Sequence, residues 1–327
     1  MSKVAVMGAG SFGTALAMVL ADNQNEVSLW SFDENQKDEM LKTRMNKEYT
    51  GEALLQENIG ITNSIEDAIG GKDVIILALP SKFFRENLEK YKKNIIEKQI
   101  IVSASKGLDF NTSKRLSQVI NEILPENRVA VLSGPTHAEE IVKKQPTYCM
   151  VASENKYVCK NIKEIFEDKY FKIETSVDVI GVELGGVFKN IVALAAGIAE
   201  GLGYGDNTKA ALITKGVEEI SLLGESMGAC KETFYGLSGY GDLIVTSISE
   251  HSRNKRAGKL IASGKTMQQV NEEIKMVVEG FESVKIAEKL KKTQCVNMPI
   301  QNVVYRIVCE GQNAKKTFEK FFENISL

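Results

Sequence analysis

Residues 3–20 read Lys3-Val4-Ala5-Val6-Met7-Gly8-Ala9-Gly10-Ser11-Phe12-Gly13-Thr14-Ala15-Leu16-Ala17-Met18-Val19-Leu20. The first five form a short apolar strand, the last form an apolar helix, and G-x-G-x-x-G lies between them. Strand, glycine turn and helix in that order make the phosphate-binding unit of a dinucleotide site. Gly8 permits a tight turn, and Gly10 lets the backbone approach a pyrophosphate. Gly13 removes a side chain where the helix must pack on the strand. The N–H groups of the helix's first turn lack intrahelical partners and face the phosphates. A tight turn in another kind of α/β domain would carry the same glycines.

Outward from this unit, strand and helix patterns alternate. Glu26–Trp30, Asp73–Leu79, Lys98–Ala104, Val129–Leu132 and Thr147–Val151 read as strands. The nearly continuous apolar run Val74–Leu79 suits a parallel strand covered on both faces. Four of these strands end in glycine- or serine-rich segments, where ligands of open parallel sheets collect. Near residue 180 the texture changes. Ile180–Glu200 is one long helical pattern, residues 201–207 are a loop, and Thr208–Met227 is helical again. A glycine loop, Gly239-Tyr240-Gly241-Asp242, precedes further helical spacing at Met267–Val270, Phe281–Leu290 and Pro299–Val308. The expected class is α/β: a Rossmann-like parallel-sheet domain over residues 1–180, then a mostly α-helical domain over 181–327.

A chain of 327 residues suits two ordinary domains, and 43% apolar residues suit a globular fold. The 41 basic and 43 acidic residues are interleaved and leave a formal charge of −2. No basic face of nucleic-acid type appears. Five scattered cysteines without a C-x-x-C pair, and only two histidines, argue against a disulfide framework or a metal site. The N-terminus runs directly into a strand, unlike a signal peptide, and Ile191–Ile198 is too short to span a bilayer. A cytoplasmic protein without a membrane span is expected.

The chemistry falls to polar groups in glycine-bounded segments of the second domain. Lys189 is a lone cation in the apolar helix Gly185-Gly186-Val187-Phe188-Lys189-Asn190-Ile191. Burial lowers an amine's pKa towards the operating pH, which suits a proton donor or acceptor. A snorkelling surface lysine would fit the same run. Asp242 is a helix cap, the group that orients Lys189, or an acceptor for a substrate hydroxyl. Ser252-Arg253-Asn254 would make a small-anion clamp, Arg253 offering the bidentate fork that phosphate takes. Lys106 and the Gly134-Pro135-Thr136-His137 segment each follow a strand at the sheet's carboxyl edge. His137 ranks below Lys189 as a base.

Together these motifs resemble the bacterial NAD(P)-dependent glycerol-3-phosphate dehydrogenases along the whole chain. The resemblance rests on the order and spacing of several segments. They are Gly8–Ala15, Ser105-Lys106-Gly107, Leu132–Glu140, Gly181–Gly186 with Lys189-Asn190, Gly239–Leu243, Ser252-Arg253-Asn254 and Val278-Glu279-Gly280. It implies hydride transfer between NAD(P)H and dihydroxyacetone phosphate, giving sn-glycerol 3-phosphate for phospholipid synthesis. By the same resemblance Lys189 is the catalytic proton donor or acceptor, with Asp242 beside it. Lys106, Gly134, Thr136, Asp242, Ser252, Arg253 and Asn254 are implied substrate contacts. Ser11, Phe12, Lys106, Ala138, Arg253, Val277 and Glu279 are implied cofactor contacts beside Gly8, Gly10 and Gly13. Asn190 and Thr246 are expected to brace the reacting oxygen. No metal is implied, and a homodimer is left open.

Two departures stand out. The family often has Trp where this chain has Phe12. Many members carry His or Arg after the second strand, where this chain has Ser31-Phe32-Asp33-Glu34. A carboxylate at Asp33 would accept from a ribose 2′-hydroxyl and repel a 2′-phosphate, so NAD is expected to be used at least as well as NADP. Lys37 is the nearby cation that would oppose this. A non-catalytic cofactor sensor would need neither Lys189 nor Arg253. A 3-hydroxyacyl dehydrogenase would need a His–Glu pair, and a 6-phosphogluconate-type enzyme shares the two-domain plan.

Overall fold

The computed structural model describes residues 1–275 and 277–324; Met276 and residues 325–327 of the expected second domain lie outside them. The chain divides into two compact units, the first Met1–Val182 and the second from Glu183 onward.

In the first unit the elements run β1 (Lys3–Met7), α1 (Ser11–Asp22), β2 (Glu26–Trp30), α2 (Glu34–Thr43), α3 (Lys47–Thr50), β3 (Ile59–Thr62), α4 (Ile65–Ile69) and β4 (Val74–Leu77). They continue with α5 (Phe84–Tyr91), β5 (Ile100–Ser103), α6 (Leu116–Ile123), β6 (Arg128–Ser133), α7 (Ala138–Ile141), β7 (Thr147–Ala152), α8 (Lys156–Phe166) and β8 (Phe171–Ser176). Among the described residues these strands form one sheet in the order β3-β2-β1-β4-β5-β6-β7-β8. Neighbours are parallel from β3 through β6. Helices cover both faces, so β4 is buried along its whole length. One apolar core lies between the sheet, α1 and α8, and another between the sheet, α5 and α6.

Three features of the sheet depart from the sequence reading. β3 and β8 are additional strands, and β7 runs antiparallel to β6. β3 is only Ile59-Gly60-Ile61-Thr62, too short for its alternation to stand out, and it forms by pairing with β2. β8 pairs in parallel with β7 over six residues, Thr147 opposite Phe171 through Ala152 opposite Ser176. Both depend on partners distant in sequence, which local pattern does not report.

The second unit is helical: α9 (Val179–Gly201), whose first turn contains the division, α10 (Asp206–Ser226), α11 (Asp242–Ile248) and α12 (Arg253–Ala262). There follow α13 (Met267–Ile274), α14 (Glu279–Gln294), α15 (Pro299–Val308) and α16 (Ala314–Asn324), the last unannounced by the sequence pattern. α9 is the long helix read over Ile180–Glu200, of which the apolar stretch Ile191–Ile198 is only part. It is long and apolar enough to cross a membrane, yet most of it is buried within the protein. It is a core helix, and glycines let its neighbours touch its backbone. A Cβ at Gly197 would lie 2.1 Å from Lys255 O, and one at Gly258 of α12 would lie 2.4 Å from Leu194 O. Ion pairs close the same contact: Lys259 Nζ donates to Glu200 Oε1 at 2.8 Å, and Lys255 Nζ lies 3.3 Å from Oε2. Lys259 and Lys255 hold the Glu200 carboxyl down at about 2, below the usual carboxylate range.

Candidate functional site

The glycine turn of the first unit has the form its sequence predicts. Gly8 takes φ +121°, and a Cβ there would lie 2.4 Å from Ala78 O. A Cβ at Gly13 would lie 1.9 Å from Gly8 O, so only glycine lets α1 pack this closely. Gly10 differs, because a Cβ there would meet nothing within 4 Å. The protein does not need glycine at Gly10 for its own packing. Gly10 is also the N-cap of α1, with no side-chain cap and no acid in the first turn. An uncapped helix N-terminus behind an unfilled glycine suits a pyrophosphate. Ser11 and Phe12 open that helix, and Phe12 packs against the core.

The carboxyl ends of β5 and β6 bring together Lys106, Gly134 and Thr136. Lys106 Nζ and Thr136 Oγ1 each donate to Gly134 O at 3.0 Å. Gly134 takes φ +143°, and a Cβ there would lie 2.9 Å from Cys149 Cα on β7. Ala138 opens α7, which packs against α1. His137 occupies the N-cap position of α7 without a side-chain cap.

At the end of β2, Asp33 caps α2. Its Oδ1 accepts from Asn35 N at 2.7 Å and Gln36 N at 3.2 Å. Lys37 Nζ is ion-paired with Asp38 at 3.0 Å and Glu34 at 3.6 Å. Its hydrogen bond to Asp38 raises its pKa. Arg44 points elsewhere, towards Gln56 O and Ile59 O. Phe32 is 87% exposed between these polar groups, and Phe83, after β4, is also exposed. The sequence reading gave neither aromatic a role. Their signal, a large apolar side chain left in solvent just past a strand end, requires the fold to be known.

In the second unit Lys189 and Asp242 form an ion pair, and the residues are 5% and 1% exposed. Lys189 Nζ also donates to Thr246 Oγ1 at 2.8 Å, whose hydroxyl donates to Asp242 O at 2.6 Å. Glycines set this geometry. Leu237–Gly241 forms a single π-helical turn leading into α11. A Cβ at Gly185 would lie 2.8 Å from Ser238 O, and one at Gly239 would lie 2.1 Å from Phe234 O. The turn can therefore lie against α9 one helical turn before Lys189, which puts Asp242 within reach of the amine.

A second polar cluster adjoins Lys189 in the chain. Asn190 Oδ1 accepts from Asn254 Nδ2 at 2.8 Å, and Asn190 Nδ2 donates to Glu279 Oε2 at 3.4 Å. Asn254 Oδ1 accepts from Gly280 N at 2.9 Å. Ser252 caps α12, accepting from Lys255 N at 3.2 Å. Arg253 Nη1 donates to Val277 O at 2.9 Å. Ser252, Arg253 and Asn254 thus form the N-terminus of α12, with Val277 and Glu279 beside them. A positive helix end carrying an arginine can bind an anion.

Known proteins share this architecture. Residues 3–159 match the family model described as NAD-dependent glycerol-3-phosphate dehydrogenase N-terminus, and residues 178–319 match its C-terminus. A glycerol-3-phosphate dehydrogenase [NAD(P)+] of Clostridium perfringens is 45% identical over 323 residues, spanning 99% of this chain and 98% of the relative. The Fusobacterium nucleatum relative of the same description is 47% identical over 96% of this chain and 94% of its own length. The crystal structure of glycerol-3-phosphate dehydrogenase from Coxiella burnetii superposes with a TM-score of 0.95 at 33% identity, covering 99% of both chains.

Proposed function

Because this chain belongs to the NAD-dependent glycerol-3-phosphate dehydrogenase family, we propose that the first unit holds NAD and the second supplies the catalytic amine, Lys189. The reaction is reversible hydride transfer between NAD(P)H and dihydroxyacetone phosphate, giving sn-glycerol 3-phosphate. The observation that carries the residue assignment is the buried cluster of Lys189, Asp242 and Thr246.

When bound, the reduced nicotinamide supplies the hydride to the carbonyl carbon. Lys189, as ammonium, donates to the carbonyl oxygen, offsets the negative charge growing there and then gives up its proton. In the oxidative direction its neutral form takes the proton from the hydroxyl. Asp242 pairs with the amine and aims it, and Thr246 fixes it from a second side. Asn190 holds Asn254 in place. Arg253, with Ser252 and Asn254, grips the substrate phosphate; in the first unit Lys106, Gly134 and Thr136 are substrate contacts by the family resemblance. Gly8, Gly10, Ser11, Phe12, Gly13, Lys106 and Ala138 of the first unit hold the nucleotide, and by the family resemblance Arg253, Val277 and Glu279 are nucleotide contacts of the second. The exposed Phe32 and Phe83 offer flat apolar faces to the same ligand.

NAD is the preferred cofactor in this reading. Asp33 repels a 2′-phosphate, and the nearby cation Lys37 is already ion-paired with Asp38 and Glu34. Five scattered cysteines, odd in number and without a C-x-x-C pair, support a cytoplasmic site of action. Oxidation of NADH and of NADPH, followed in one buffer with dihydroxyacetone phosphate, tests both parts. The kcat/KM for NADH is expected to equal or exceed that for NADPH. A tenfold preference for NADPH overturns the cofactor assignment, and absence of ketone-dependent oxidation overturns the whole.

A further inference from the structure

Ala9, the one residue between the first two glycines, has its carbonyl held by two side chains from outside the motif. Asn46, almost fully buried, donates from Nδ2 to Ala9 O and to Thr14 Oγ1, both at 2.8 Å. Gln36 donates from Nε2 to the same Ala9 O at 2.8 Å and to Asn46 Oδ1 at 3.1 Å. Gln36 Oε1 accepts from Ser31 Oγ at 2.5 Å, and Ser31 Oγ accepts from Asp33 N at 3.2 Å. Each amide proton of Asn46 and of Gln36 has an acceptor, and flipping either amide would set oxygen against Ala9 O. The orientations of both amides are therefore determined, while the Ser31 hydroxyl also reaches Asp33 O at 3.0 Å.

Two consequences follow. The Ala9–Gly10 peptide is trans, as are all peptide bonds described here, so its C=O and N–H point in opposite directions. Pinning Ala9 O therefore fixes the plane of this peptide and with it the direction of the Gly10 N–H. The other end of the relay fixes the turn that carries Asp33. We propose that Gln36 and Asn46 are positioning residues that set the glycine turn for the pyrophosphate and tie it to the Asp33 turn. Neither needs to touch the nucleotide. The inference rests on the reading that the glycine turn holds the nucleotide, so its test carries a control for that reading.

The experiment is calorimetric titration of NADH into wild type, Gln36→Leu, Asn46→Ser and Gly10→Ala, with thermal unfolding of each protein without nucleotide. Gln36 is only half-buried, so Gln36→Leu is expected to unfold within a few degrees of wild type. It should raise the NADH Kd about tenfold, equivalent to about 1.4 kcal/mol. At saturating NADH, kcat and the KM for dihydroxyacetone phosphate should stay as in wild type, a split that general loss of structure would not give. Asn46→Ser should raise Kd at least as much; if it fails to fold, Gln36→Leu alone decides. Wild-type NADH affinity in Gln36→Leu together with weakened binding in Gly10→Ala overturns the relay alone. Wild-type affinity in both overturns the glycine-turn reading with it. Loss in Gln36→Leu with none in Gly10→Ala also overturns the relay, because the effect would then bypass the turn.

Discussion

Gly185 and Lys189 stand one helical turn apart on α9, and the backbone contact at the first brings Asp242 to the second. A methyl group at Gly185 would sit 2.8 Å from Ser238 O and 3.1 Å from Gly239 Cα. Gly185→Ala must therefore push the π-helical turn away and Asp242 with it. Overpacking of this kind costs about 1–3 kcal/mol of stability. Misplacing a catalytic group by about an ångström costs about 10²-fold in rate. Urea unfolding and kcat are expected to fall together, and a wild-type kcat would break the link between this contact and the chemistry.

Removing the amine separates chemistry from stability. Lys189→Ala should lower kcat about 10²–10⁴-fold, the scale of positioned proton transfer. It also leaves Asp242 buried without its partner, a change that typically costs about 3–5 kcal/mol. Lys189→Met with Asp242→Asn removes both charges, so it should recover much of that stability while remaining inactive. Near-normal turnover per folded molecule in Lys189→Ala would sink the assignment.

Arg253→Lys keeps the charge at the start of α12 but loses the planar fork. The KM for dihydroxyacetone phosphate should rise strongly. Part of the loss should appear in kcat, because grip on the remote phosphate positions the ketone. The discriminating measurement is the preference for dihydroxyacetone phosphate over unphosphorylated dihydroxyacetone. An unchanged preference removes Arg253 from the phosphate site.

Gly10 and Gly13 should respond differently to the same methyl group. At Gly13 it would collide with Gly8 O, so Gly13→Ala should lower the unfolding temperature of the nucleotide-free protein. At Gly10 it meets open space, so Gly10→Ala should unfold like wild type and bind NADH more weakly. Melting curves with and without NADH distinguish the two, and equal melting losses without nucleotide would contradict the geometry.

Glu219 on α10 predicts a pH dependence remote from the site. Its carboxylate caps α15, accepting from Ile300 N at 2.6 Å and Gln301 N at 3.2 Å. Burial nevertheless pushes its pKa up from 4.5 to about 7. With the folded pKa above the unfolded one, the folded state holds the proton more tightly. This contribution to stability is full below about pH 4.5 and is lost as pH rises towards 7. Glu219→Gln cannot titrate, so the pH slope of its unfolding free energy over that range should be flatter than wild type. An unchanged slope would show that another group titrates there.

The glycine turn, the buried strands β1, β2 and β4–β6, the long helix α9 and the lone cation Lys189 were legible from the amino-acid order. Each depends on near neighbours: backbone freedom at Gly8, apolar runs, helical spacing and one charge among apolar residues. What needed the tertiary structure depends on partners far along the chain. β3 and β8 exist through their pairing with β2 and β7, and β7 is reversed because its hydrogen bonds go to β6 in that sense. Asp33 and Ser252 turned out to be helix caps as well as candidate ligands, since their place relative to α2 and α12 decides what their oxygens accept. The ion pair of Asp242 with Lys189 depends on Gly185 and Gly239, which let two backbones touch. Hydrogen bonds and ion pairs act over a few ångströms in space, and a sequence states distance only along the chain.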